Sequence, residues 1–63
     1  MKYLVVKIED DTLFFLADIV YKEIWTRYYS YSIKFVNKEQ AEDYAKKLDG
    51  FVIKTTTHKP RSW

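Results

Sequence analysis

The chain has 63 residues, 48% of them hydrophobic and 19% aromatic, with one glycine, one proline, no cysteine and a formal net charge of +2. A chain of this length makes one domain that buries about 60% of its unfolded surface, and neither a disulfide nor a thiolate zinc site can reinforce so thin a core. One glycine excludes a glycine-rich phosphate loop, and the small net charge gives no ground of its own for a nucleic-acid partner.

The first residues, MKYLVVKIEDD, carry Lys2, but the apolar run stops at Lys7 without a small-residue cleavage site, so no secretory signal is expected. No run reaches the roughly 18–20 apolar residues of a membrane span. Leu4, Val6 and Ile8 alternate as one face of a strand, and Glu9 to Asp11 form a turn. LFFLADIVY then returns as a second strand, with Leu13, Phe15, Ala17, Ile19 and Tyr21 on one face. A helix over 12–22 would instead align Leu13, Leu16, Ala17, Val20 and Ile24 behind an Asp11 cap. It would leave Phe15 and Ile19 in water, so the strand is the better reading.

EIWTRYYSYSIKF, residues 23–35, follows as a third strand. Trp25, Tyr29, Tyr31, Ile33 and Phe35 share one face, interrupted by Arg27, while Thr26, Tyr28, Ser30, Ser32 and Lys34 share the other. Most of these aromatics belong to the core on this reading. Large rings are how a short chain compensates for a small core.

VNKEQAEDYAKKLDG predicts a helix over 38–49. Asn37 is a good N-cap, with Gln40 completing a capping box and Val36 and Ala41 placed for a hydrophobic staple. Ala41, Tyr44, Ala45 and Leu48 form one apolar face, and Glu42 with Lys46 and Asp43 with Lys47 form i,i+4 pairs elsewhere on the helix. Gly50 is expected at the left-handed C′ position. FVIKTTT makes the last strand, with Phe51 and Ile53 on one face and Val52 and Lys54 on the other.

The fold class that results is α+β: a small antiparallel sheet of three to four strands with one helix packed on one face, in the order β-β-β-α-β. Residues 1–57 form the single domain and 58–63, HKPRSW, a basic C-terminal tail with Lys59, Arg61 and Trp63. Charge divides the same way: residues 1–49 carry a net −1 and residues 50–63 a net +3. The sheet face without the helix, expected to bear Tyr3, Val5, Phe14, Leu16, Val20 and Tyr28, stays open and marks an interaction surface.

Catalytic groups are sparse. Nucleophilic catalysis needs a base beside the nucleophile, and the only histidine, His58, lies in the tail with no cysteine in the chain. No enzyme activity, metal or cofactor is expected, and Glu9 to Asp11 read as a solvated turn.

IKFVNKEQAEDYAKKLDGFVIK, with IWT upstream, resembles a pattern in small proteins of bacteriophages and prophages of Gram-positive bacteria: a short β-meander, F-x-x-K-E-x-A at a helix start, and a glycine-led last strand. Phe35, Lys38, Glu39, Ala41, Ala45, Leu48 and Gly50 hold those positions. The resemblance covers the C-terminal half. It implies a protein of the host cytoplasm that binds and redirects a host protein, and carries over no functional residue.

Two functions follow as expectations. The first is a non-enzymatic protein-binding module that takes a host protein or a second copy of itself through the open sheet face, with Trp25, Arg27, Tyr28 and Tyr29 as partner-binding residues. The alternative is a single-stranded nucleic-acid binder. Tyr28, Tyr29 and Trp63 would stack on bases, and Arg27, Lys34, Lys54, Lys59 and Arg61 would follow the phosphates.

Overall fold

The structure is a computed structural model that describes residues 2–55. Its elements are β1 (Lys2–Glu9), β2 (Thr12–Asp18), β3 (Ile24–Thr26), a 3-10 turn (Tyr29–Tyr31), α1 (Lys38–Lys47) and β4 (Phe51–Thr55). The strands form one antiparallel sheet in the order β3-β2-β1-β4, and α1 packs across β1 and β4. This is the expected α+β architecture. The tail residues Lys59, Arg61 and Trp63, like His58, lie outside the described residues.

β1 and β2 form a hairpin in which Glu9 pairs with Thr12, so Asp10 and Asp11 are the whole turn. Their φ values of 52° and 62° are positive, as the right-handed twist of the flanking strands demands of a two-residue turn. Aspartate tolerates this left-handed region better than most residues. β2 is a strand, not a helix. It ends at Asp18, whose Oδ1 accepts a hydrogen bond from the Val20 amide at 3.1 Å and turns the chain.

The third strand is much shorter than the alternation over 25–35 suggests. Only Ile24–Thr26 pairs with β2, across an irregularity between Leu16 and Asp18. Side chains then compete for the backbone groups that a ladder would use. Thr26 Oγ1 accepts from the Tyr28 amide at 3.1 Å, and Ser32 Oγ donates to the Tyr29 carbonyl at 2.6 Å. The chain folds into the 3-10 turn and afterwards re-enters the sheet. The Ile33 amide donates to the Leu16 carbonyl at 2.9 Å, and Tyr3 and Phe35 exchange two hydrogen bonds of 2.8 Å. Residues 33–35 thus sit between the diverging ends of β1 and β2.

α1 starts as expected, with Asn37 Oδ1 accepting from the Gln40 amide at 3.2 Å. Ala41 is buried but Val36 is 70% exposed, so no hydrophobic staple closes. The ion pair formed on the helix is Lys38 with Glu42, at 3.9 Å. At the other end the left-handed residue is Asp49, φ 60°, and not Gly50. The Gly50 amide donates to the Ala45 carbonyl at 2.8 Å, closing a Schellman-type end. Gly50 is required for space instead: a Cβ there would stand 2.5 Å from the Val6 carbonyl oxygen.

Val5, Leu16, Phe35, Ala41 and Ala45 make the core beneath the helix, flanked by Tyr3, Trp25, Tyr44, Leu48 and Val52. The two alanines let the helix backbone approach the sheet, and the Phe35 and Tyr44 rings stack at a tilt with centroids 5.6 Å apart. The expected face assignment is therefore reversed. Tyr3, Val5 and Leu16 lie under α1, together with Phe14 on the same side of β2, while Val20 sits in the bend after β2 and Tyr28 beside the 3-10 turn. Leu4, Val5 and Val6 are all at most 1% exposed, so both faces of β1 are apolar and alternation cannot tell them apart.

Candidate functional site

The strand registers determine what the helix-free face carries. Ile8 opposes Leu13, and Val6 stands between Phe15 on β2 and Phe51 on β4. Leu4 opposes Ile53, and Lys2 opposes Thr55. Since cross-strand partners project to the same side, these residues form one surface opposite α1, apolar except for Lys2 and Thr55 at one end.

Tyr29 covers one end of that surface. Its ring stands edge-on to Phe15, centroids 6.1 Å apart at 81°, and its hydroxyl lies 3.5 Å from Thr55 Oγ1. Phe15 is on β2 and Thr55 on β4, so the side chain crosses over β1. Lys34 fastens the turn that carries it. Its Nζ donates to the carbonyls of Tyr29 (2.8 Å), Ser32 (3.0 Å) and Ser30 (3.4 Å), and lies 4.6 Å from the centroid of the Tyr29 ring.

Beyond Tyr29, toward the hairpin, nothing among the described residues covers the face. Ile8 is 62% exposed, Phe51 46% and Leu13 40%, although Leu4 and Val6 beside them are sealed. A solvent-facing apolar row on a well-packed base is the principal surface feature of the fold.

The four residues expected at a partner surface are not brought together. Tyr29 borders the exposed row. Arg27 and Tyr28 are exposed beside it in sequence, and Tyr28 stands edge-on to Tyr31, ring centroids 6.1 Å apart. Trp25, in contrast, opposes Leu16 and packs on the core under the helix, with Lys7 Nζ 4.5 Å from its ring centroid. Its Nε1 is buried with no hydrogen-bond partner among the described residues. Ile8, Leu13 and Phe51 were not among the expected contact residues. The signal for two of them was present: a turn made of Asp10 and Asp11 alone makes Ile8 and Leu13 cross-strand neighbours.

Among the described residues no group of three His, Cys, Asp or Glu side chains is placed to hold a metal ion, and no concave pocket is present. No helix among them is long and apolar enough to cross a membrane. No family model, curated protein or solved structure matches this chain.

Proposed function

We propose that this chain is a non-enzymatic protein-binding module whose contact surface is the helix-free face of its sheet. The observation that supports it is the row formed by Ile8, Leu13 and Phe51, exposed in water beside the fully buried Leu4 and Val6. Apolar side chains on a firm base lose little conformational entropy on docking, and contiguous apolar patches of about 300–600 Å² on small chains are often functional. Tyr29, with Arg27 and Tyr28 next to it, supplies the aromatic and cationic groups that anchor such contacts.

The partner is a different protein. The resemblance to small phage proteins supports a bacterial host protein in the host cytoplasm. Nucleic acid is the weaker reading, because Lys34, one of the cations it needs, is already engaged with three carbonyls of its own turn.

The test is capture of the retained protein from a Gram-positive lysate, its purification, and titration against native chain and the variants Ile8→Lys and Phe51→Lys. At least tenfold weaker binding by both variants is expected. Undiminished binding by both would remove the face from the contact.

A further inference from the structure

The sheet has two outer strands, and they differ in how they end. β3 is three residues long and joins β2 across an irregularity, so it offers almost no template for a further strand. β4 has five residues, Phe51–Thr55, no proline and a single charge, Lys54. Among the described residues no strand lies along its outer side.

The backbone directions of β4 follow from one contact elsewhere. Tyr3 exchanges both its amide and its carbonyl hydrogen bonds with Phe35, so these groups point away from β4. Directions alternate along a strand. Lys2, Leu4 and Val6 therefore turn theirs toward β4, where Thr55, Ile53 and Phe51 oppose them. Val52 and Lys54 direct their amides and carbonyls off the free edge: two donors and two acceptors spaced as a strand ladder needs.

Side chains state what would lie beside them. Phe51 and Ile53 continue the apolar helix-free face up to this edge, and Lys54 projects on the other side. Lys2, opposite Thr55, is a further cation at the same end, but on the helix-free side. In the sequence, residues 50–63 contain no acid, with Lys59 and Arg61 following β4. A second copy of this edge would set lysine near lysine. An acidic segment is the complementary partner.

We propose that the free edge of β4 accepts an extended, acidic segment of the partner protein as a fifth strand. Its backbone pairs with Val52 and Lys54, its carboxylates face Lys54, and its apolar side chains extend the row of Phe51 and Ile53. This rests on the protein-binding reading above and adds the form and charge of what is bound. Main-chain hydrogen bonds give such additions their affinity, and alternate side chains give them their specificity.

The probe is an acetylated, amidated heptapeptide alternating valine with glutamate, compared with its valine–lysine counterpart, followed by amide NMR of the labelled chain at low salt. The glutamate peptide is expected to shift the Val52 and Lys54 amides and slow their exchange, and to bind at least about fivefold tighter than the lysine peptide, with the difference shrinking in 0.5 M salt. Lys54→Glu should invert the preference. Lys54→Pro, which removes an outward donor without taking a bond from β1, should abolish binding while circular dichroism stays native.

Equal affinity for the two peptides overturns the proposal. So do shifts confined to Ile8, Leu13 and Phe15, which would leave the face as a binding surface but not the edge. Protection of the Val52 and Lys54 amides in the free chain also overturns it. Protection that rises with concentration would assign the edge to a second copy, and protection independent of concentration to the chain itself. Conversely, glutamate-peptide binding with the expected amide signature that survives Ile8→Lys unchanged would support the edge even if the partner proved indifferent to the open row.

Discussion

Tyr29 stands edge-on to Phe15 at 81°, with 6.1 Å between ring centroids, and this contact fixes the 3-10 turn onto the helix-free face of the sheet. It is what divides that face into a covered end and an open end. An edge-to-face aromatic pair contributes about 0.5–1.5 kcal/mol beyond its buried area. Tyr29→Ala should therefore destabilise the fold by about 1–2 kcal/mol in urea unfolding. Tyr29→Phe should stay within about 0.5 kcal/mol of native, because the hydroxyl is at the 3.5 Å limit of its contact with Thr55.

Lys34 acts on the same turn through the backbone. Its ammonium donates to three carbonyls of the turn, those of Ser30 and Ser32 and that of Tyr29, which also accepts from Ser32. Lys34→Ala is expected to cost about 1–2 kcal/mol, since charged hydrogen bonds are the stronger kind but this group is only half-buried. Proteolysis at residues 28–34 should accelerate in the variant, as the readout specific to the turn.

The hairpin turn is held by residues that are not the best for it. Asp10 and Asp11 both have positive φ and place two carboxylates side by side. Asp10→Asn combined with Asp11→Gly, the pairing such turns prefer, should stabilise the chain by about 0.5–1 kcal/mol, read as a melting point several degrees higher.

At the end of α1, two neighbouring substitutions should act in opposite directions. Asp49→Gly relieves a left-handed non-glycine residue and should raise stability slightly, by about 0.5 kcal/mol. Gly50→Ala places a methyl 2.5 Å from the Val6 carbonyl oxygen, which belongs to the central strand and cannot retreat freely. A loss of about 1–3 kcal/mol is expected in the same denaturant series.

These cases show where the sequence was legible. Asn37, the apolar stripe of Ala41, Tyr44, Ala45 and Leu48, and the alternation of β1, β2 and β4 are local signals, and each element they predict is present. What failed depended on tertiary context. The period-two pattern of residues 25–35 looked like a strand because Tyr29 and Phe35 are both needed by the sheet, yet they reach it from different sides, one through a turn fixed by Lys34 and Ser32. Which face the helix would choose was hidden because Leu4, Val5 and Val6 are apolar alike. The deciding cluster, which joins Ala41 and Ala45 to Val5, Leu16 and Phe35, gathers residues far apart in the chain. The open face was therefore foreseen as a feature but given the wrong residues.

Two lysine substitutions on β1, three positions apart, test the face assignment most directly. Ile8 lies on the open row and Val5 beneath α1, so thermal unfolding of Ile8→Lys should remain cooperative and within a few degrees of native, whereas Val5→Lys, which buries an unpaired ammonium, should abolish the cooperative transition. A native-like melt for Val5→Lys together with an unfolded Ile8→Lys would place the helix on the other side of the sheet and contradict the account.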